Sequence, residues 1–157
     1  MNNKIFLALL LALLCNGCEK TVIAYPGNTQ DTDPKAPEGA INWLIDASEN
    51  GKGQLPENSA SNLSIGVLNA TDPNPDDEFT YSISSQKMDN TSINYFTLNS
   101  DSGYTNLILT NGSINYEALS GSKQVDVVIR VSDDSPEPQT NDFTLTIDIV
   151  NVNETPY

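Results

Sequence analysis

From residue 38 to the end of the chain, apolar and polar side chains alternate with a period of two. The alternation is most regular over residues 125–131, where every second residue is Val or Ile, and over residues 143–149. Successive side chains of an extended strand point to opposite faces of the sheet, so each run predicts a strand with one buried face. Helical spacing is not sustained in this part of the chain.

Seven runs of this kind occur between residues 38 and 157. They cover residues 41–45, 63–67, 79–83, 96–98, 107–109, 125–131 and 143–149. The segments between them are rich in Asp, Asn, Gly and Pro, residues that form turns and end strands. Seven short strands, each with one apolar face, can bury those faces only if two sheets stack. The sequence therefore predicts an all-β sandwich in which the last two runs pair with each other.

The chain is strongly acidic. Its 157 residues include 21 Asp and Glu, 7 Lys and Arg and no His, which gives a formal net charge of −14. This charge repels phosphate backbones and anionic membrane surfaces, so we expect no nucleic-acid partner. Without His, neither a His-based catalytic triad nor a His zinc site can form. Catalysis would depend on carboxylates alone, with no sign of an enclosing pocket, so we expect that the protein is not an enzyme.

The first eighteen residues have the pattern of a secretory signal. Ten apolar residues, 5–14, follow a weakly basic start, and this run is too short to cross about 30 Å of hydrocarbon. A small residue directly before a cysteine resembles the bacterial lipobox, in which that cysteine is acylated. Cys18, preceded by Gly17, fits this pattern better than Cys15, preceded by Leu14. The alternative is an ordinary signal peptide with two incidental cysteines.

The lipobox resemblance implies a lipoprotein whose signal peptide is residues 1–17. Residues 18–37 are then the lipidated N-terminus and a flexible tether, since they hold little apolar material and several Pro and Gly residues. The folded domain is predicted to be residues 38–157. Lipidation at Cys18 places this domain in a bacterial cell envelope, anchored to the outer membrane by lipid alone and facing the periplasm or the cell surface.

Five polar segments lie at the ends of the predicted strands rather than within them. They are Pro56-Glu57-Asn58, Asp72-Pro73-Asn74, Asn115-Tyr116-Glu117, Asp133 and Asn151-Val152-Asn153-Glu154-Thr155-Pro156. Their order and spacing resemble a cadherin repeat of the bacterial type, which has a PEN segment, an A-T-D-P-D turn, a D-Y-E segment, a V-x-D segment and a terminal D-V-N-E-x-P. The match covers residues 36–157. The resemblance implies a seven-stranded, Greek-key, immunoglobulin-like β-sandwich of the cadherin type.

The same resemblance implies calcium sites at the two ends of the domain, because Asp, Glu and Asn supply the oxygen ligands that calcium prefers. Carried over by position, the predicted metal ligands at the C-terminal end are Glu57, Asn115, Glu117, Asn151, Asn153 and Glu154. Those at the N-terminal end are Asp72, Asn74 and Asp133. The alternatives are solvated carboxylates at the first end and turn capping by Asx hydrogen bonds at the second.

We expect this calcium binding to be weak. Asn stands at positions 74, 115 and 151, where the family usually has Asp, so three formal charges are missing. We also expect no neighbouring repeat to complete either coordination shell, although Asp31 and Asp33 precede the domain. The dissociation constant should then be on the order of 10⁻⁴–10⁻³ M or weaker, as in extracellular modules.

The sequence thus predicts a surface-anchored lipoprotein with a single cadherin-like, calcium-binding domain that mediates calcium-dependent cell adhesion or protein–protein contact. The partner would be another protein or a second copy of this one, bound through the poles or edges of the domain. Two alternatives stay open. One is a carbohydrate-binding module that uses exposed aromatic residues such as Trp43. The other is a structural envelope module with vestigial calcium sites.

Overall fold

A computed structural model describes residues 35–74, 77–110, 112 and 114–153. The chain divides into two units, Met1–Gln30 and Asp31–Tyr157, and all described residues belong to the second. The predicted signal peptide, Cys18, most of the predicted tether and Glu154 lie outside the described residues. Within the described ranges, no helix has the length and hydropathy needed to cross a membrane.

The described residues form nine strands. These are β1 (Glu38–Trp43), β2 (Gly53–Pro56), β3 (Leu63–Thr71), β4 (Thr80–Met88), β5 (Thr91–Ser92), β6 (Phe96–Asp101), β7 (Tyr104–Leu109), β8 (Gln124–Ser132) and β9 (Thr140–Val150). One sheet has the order β1-β3-β7-β6 and the other the order β2-β9-β8-β4-β5. Neighbouring strands are antiparallel except β2, which is parallel to β9. The prediction of an all-β sandwich is confirmed.

All seven predicted runs lie in or beside strands, and β8 pairs with β9 as predicted. The structure has two further short strands, β2 and β5. In β2, Leu55 is the one large apolar residue of a four-residue segment, and β5 consists of Thr91 and Ser92 alone. Neither segment has two large apolar residues, so neither shows an apolar alternation from which it could be predicted.

The inward-facing side chains of both sheets form one core. In β8, the alternate residues Val125, Val127, Ile129 and Val131 are each 0% exposed, which is the period of two that the sequence shows. Phe96, Ile65, Leu107 and Leu109 face them from the other sheet. Burial of each such side chain contributes about 1.5–3 kcal/mol, so this core holds the two sheets together.

Trp43 at the end of β1 is half-buried and packs against this core. Its indole Nε1 donates a hydrogen bond to the carbonyl oxygen of Gly51, with a distance of 3.0 Å. The ring lies so close to Gly53 that a Cβ built there would be 2.7 Å from ring atom Cζ3. Trp43 therefore packs against the core and the Gly51–Gly53 turn, and its role in carbohydrate binding stays a prediction.

The strand ends define two poles of the sandwich. At the N-terminal pole, Glu38 of β1 pairs with Thr71 at the end of β3, and Ser132 at the end of β8 pairs with Thr140 of β9. At the opposite, C-terminal pole, β2 and β9 end side by side and are joined there by the β7–β8 connection. The predicted ligand residues that the structure describes lie at these two poles.

Candidate functional site

Three aspartates from different segments converge at the N-terminal pole. Asp72 follows β3, Asp77 precedes β4 and Asp133 follows β8. One carboxylate oxygen from each lies within 4.8 Å of those from the other two. Asp133 is only 4% exposed, and the other two side chains are half-buried. The cluster therefore joins the end of a strand in one sheet to loops of the other sheet.

In Asp72 and in Asp133, one carboxylate oxygen accepts hydrogen bonds from residues of the same loop. Asp72 Oδ1 accepts a hydrogen bond from the backbone N–H of Asn74, with a distance of 2.9 Å. Asp133 Oδ1 accepts hydrogen bonds from Ser135 N, Ser135 Oγ and Gln139 N, at 3.3, 2.9 and 3.0 Å. The turn-capping role that the sequence allows for these residues is therefore present, but it uses one oxygen of each side chain.

The second oxygen, Oδ2, of all three aspartates is buried and accepts no hydrogen bond from the residues that the structure describes. A buried carboxylate is costly unless a hydrogen bond, an opposite charge or a metal ion compensates it. The ion pairs of the described residues are Lys35–Glu38 and Arg130–Asp142, so no described Lys or Arg pairs with the cluster. Three converging negative groups at this pole thus lack a compensating positive charge among the described residues.

The environment of the cluster changes the pKa of the Asp77 carboxyl. Burial raises the pKa of its carboxyl above the ordinary value of 3.8, and the neighbouring carboxylates of Asp133 and Asp72 raise the pKa further. A hydrogen bond with the side chain of Asn74 acts in the opposite direction. Asn74, predicted as a ligand, is thus placed beside Asp77 as a hydrogen-bond partner.

Asp77 is absent from the ligands predicted from sequence. The turn at residues 72–77 contains three aspartates, and turn composition does not show which of them points inward. A usable signal does exist. Asp77 has the same parity as Tyr81 and Ile83 of β4, which pack against the core, so a strand pattern extended back from these residues would have assigned Asp77 to that face.

The N-terminal cluster fits a hard divalent cation. Two oxygens bound at about 2.4 Å to one calcium ion are at most about 4.8 Å apart, and the three aspartates meet this limit. The donors are all oxygens, which suits calcium, magnesium or manganese rather than zinc or copper. Three protein oxygens are about half of the six to eight that calcium takes, so water or further oxygen donors would complete the shell.

The C-terminal pole is built differently. Glu57, at the end of β2, is only 3% exposed, and both of its oxygens are engaged. Oε2 accepts a hydrogen bond from Tyr116 N at 2.7 Å, and Oε1 accepts one from Val152 N at 2.9 Å. The hydrogen bond from Tyr116, followed by that from Val152, holds the pKa of Glu57 below its ordinary value of 4.5.

The other predicted ligands that the structure describes at this pole are exposed. Asn151 Nδ2 donates a hydrogen bond to Glu117 Oε1, and Asn115 Oδ1 accepts one from Ala118 N at 2.8 Å. Asn153 is exposed at the end of the described residues. The structure thus brings Glu57, Glu117 and Asn151 to one pole, as the resemblance implied. Their role as cation ligands stays a prediction.

A family model described as "Cadherin domain" matches residues 52–150 of this chain. The chain belongs to the cadherin-domain family. Cadherin domains are adhesion and protein-contact modules without enzymatic activity, which is consistent with the expectation that this protein is not an enzyme. Comparison with curated protein sequences finds no significant match.

Solved structures with the same fold are cadherin extracellular domains. Domains 1–5 of protocadherin gamma B2 give a TM-score of 0.54 at 18% identity, over 76% of this chain and 20% of that chain. Domains EC22–24 of mouse cadherin-23 give 0.54 at 19% identity, over 73% and 33%. A cis-dimer of protocadherin gammaB7 EC3–6 gives 0.52 at 21%, over 76% and 25%. This chain therefore spans a third or less of the length of these structures.

Proposed function

We propose that this protein is a calcium-dependent module for adhesion or protein–protein contact, and that its cation site is the cluster of Asp72, Asp77 and Asp133. The observation that carries the proposal is the set of three buried Oδ2 atoms that have no hydrogen-bond partner in the described part of the chain. Their carboxylates also converge within 4.8 Å. A bound divalent cation would supply the positive charge that this arrangement lacks.

The cation would act by joining the ends of the two sheets. Asp72 ends a strand of the four-stranded sheet, whereas Asp77 and Asp133 adjoin strands of the five-stranded sheet. Without a cation, three like charges repel one another across this pole. With a cation, the connections that carry them are drawn together. Calcium would therefore hold the connections at the N-terminal pole in one arrangement.

The incomplete ligand set suggests how such a surface takes part in contact. The three aspartates supply about half of the oxygens that calcium requires, so a partner molecule can contribute others. A second copy of this chain and a different protein are both compatible with this chemistry. The small number of protein ligands also favours weak affinity, on the order of 10⁻⁴–10⁻³ M.

The mode of attachment is also proposed, on the sequence alone. Lipidation at Cys18 would anchor the protein in the outer membrane, and residues 19–37 would separate the domain from that surface. As a coil, such a tether spans roughly 25 Å on average, which keeps the domain near the membrane. Metabolic labelling with an alkyne fatty acid, compared between the wild type and Cys18→Ala, tests this part.

Calorimetric titration with calcium tests the cation site. We expect saturable binding to the wild-type protein and loss of that binding in Asp72→Asn. The matched control is Asp126→Asn, which also removes one carboxylate charge but lies on the outer face of β8, away from the cluster. Equal calcium binding by all three proteins would contradict the site, and absence of binding to the wild type would contradict the calcium dependence.

A further inference from the structure

We infer that two charged side chains of the protein, Glu57 and Lys123, hold the segments of the C-terminal pole together, and that this pole needs no cation. This departs from the calcium half-site that the family resemblance implies for Glu57 and its neighbours. The inference concerns the opposite end of the domain from the proposed cation site and does not depend on that site. It assigns Lys123, which no sequence motif marks, as the cation of this pole.

The carboxylate of Glu57 links three segments by hydrogen bonds. It follows β2, and it accepts hydrogen bonds from Tyr116 in the β7–β8 connection and from Val152 after β9. With 3% exposure, its carboxylate is withdrawn from water, yet each oxygen has a donor. This is the reverse of the N-terminal pole, where each aspartate of the cluster has a buried oxygen with no partner among the described residues. The charge of Glu57 is thus already stabilised by the backbone.

Lys123, at the end of the β7–β8 connection, binds backbone carbonyl oxygens of that connection. Its Nζ donates hydrogen bonds to the carbonyl oxygens of Tyr116 and Leu119, the first at 2.9 Å. The ammonium also lies 4.8 Å from the centroid of the Tyr116 ring, within the range of a cation–π interaction. Tyr116 therefore has its N–H bound by a carboxylate and its C=O bound by an ammonium group.

The backbone of Lys123 supports this role. Its φ is 55°, a left-handed conformation that non-glycine residues adopt at a cost of about 1–2 kcal/mol. Its carbonyl oxygen accepts a hydrogen bond from Ile149 N at 2.8 Å, which fixes the residue beside β9. From this position the half-buried side chain reaches back to two carbonyls of the preceding loop. The side-chain contacts help to hold the unusual backbone.

The remaining groups at this pole are arranged for hydrogen bonds within the protein. Asn151 donates its amide N–H to Glu117 Oε1. Asn115 Oδ1 accepts the N–H of Ala118. The carbonyl oxygens of Tyr116 and Leu119 accept hydrogen bonds from Lys123. The backbone at Val152, two residues after β9, is therefore held by a hydrogen bond within the protein.

Amide hydrogen exchange of the full-length protein, followed by NMR with excess calcium and with chelator, tests this inference. We expect the amides of Tyr116 and Val152 to be protected to the same extent, within about twofold, in both conditions. In Glu57→Gln, exchange at these two amides should accelerate at least about tenfold in both conditions. In Lys123→Met, exchange should accelerate across residues 116–119, and Lys123→Arg should restore part of the protection.

Asp133→Asn is the control, because it removes a carboxylate from the opposite pole. It should leave the exchange of Tyr116 and Val152 unchanged, whatever it does to calcium binding. Protection of these two amides that appears only with calcium would overturn the inference, as would unchanged exchange in both Glu57→Gln and Lys123→Met. Failure of calcium to bind at Asp72, Asp77 and Asp133 would leave the inference intact, so the two proposals fail separately.

Discussion

Asp72 and Asp133 adjoin strands of different sheets, yet a carboxylate oxygen of one lies within 4.8 Å of a carboxylate oxygen of the other. No hydrogen bond among the described residues satisfies their buried Oδ2 atoms. The N-terminal pole is therefore under electrostatic repulsion unless a cation is bound. The C-terminal pole is not under such repulsion, because each carboxylate oxygen of Glu57 accepts a hydrogen bond there. This contrast between the poles leads to the following predictions.

Asp77→Asn should stabilise the protein in chelator and remove its response to calcium. Burial raises the pKa of Asp77, and so do the neighbouring carboxylates, which means that its ionised form disfavours the folded state at neutral pH. The neutral amide removes that penalty but provides a weaker ligand. Thermal unfolding at pH 7 should show a melting temperature a few degrees above the wild type in chelator, and no further rise with calcium. A lower melting temperature in chelator would contradict this explanation.

The contribution of Glu57 to stability should depend on pH. Because its pKa is lowered in the folded state, the stabilisation is fully present above the unfolded-state value of 4.5 and is lost as pH falls through the folded-state value. Glu57→Gln should therefore be less stable than the wild type at pH 7 and at pH 6, and the difference should shrink as pH falls below 4.5. Urea unfolding at a series of pH values measures it. A difference that stays constant down to pH 3 would argue against the ionised carboxylate as the cause.

Substitution of Gly53 should disturb the packing of Trp43. A Cβ at Gly53 would lie 2.7 Å from the indole ring, so Gly53→Ala forces the ring to move. Overpacking of this kind costs typically about 1–3 kcal/mol. Trp43 is the only tryptophan in the sequence, so its fluorescence reports the change directly. Gly51→Asn is a suitable control, because its site is open and Asn tolerates the positive φ of 75°.

Adjacent residues of β8 should differ sharply in their effect on stability. Ile129 is 0% exposed in the core, whereas Val128 faces the outer side of the same strand. Ile129→Ala should lower the free energy of unfolding by about 2–5 kcal/mol, and Val128→Ala by under about 1 kcal/mol. Chemical denaturation of the two variants makes this comparison. Similar losses in both would mean that the burial pattern of β8 is wrong.

The sandwich could be predicted from the sequence because its longest strands have one face in the core and one in water. Residues 125, 127, 129 and 131 of β8 are all Val or Ile and are each 0% exposed, and Val128 is the one apolar residue on the opposite face of the strand. The strands β2 and β5 could not be predicted in the same way. They are short, and their pairing with longer neighbours, rather than their own composition, makes them strands.

The site could be predicted only in part. Asp72 and Asp133 belong to recognisable segments, and the structure places them together. Asp77 has no such segment, and its inward orientation depends on how the chain enters β4. Lys123 was also not predicted, because its role arises from a left-handed backbone and from contacts with Tyr116 and Leu119 that no local pattern records.

An NMR titration of the protein with calcium tests the account most directly, because backbone amides at both poles can be followed in one experiment. The amides of Asn74, Ser135 and Gln139 donate to Asp72 or Asp133 and should shift in a saturable manner. Those of Tyr116 and Val152 donate to Glu57 and should not move. Saturable shifts confined to Tyr116 and Val152, or no shift at Asn74, Ser135 and Gln139 at millimolar calcium, would contradict a cation site at the N-terminal pole.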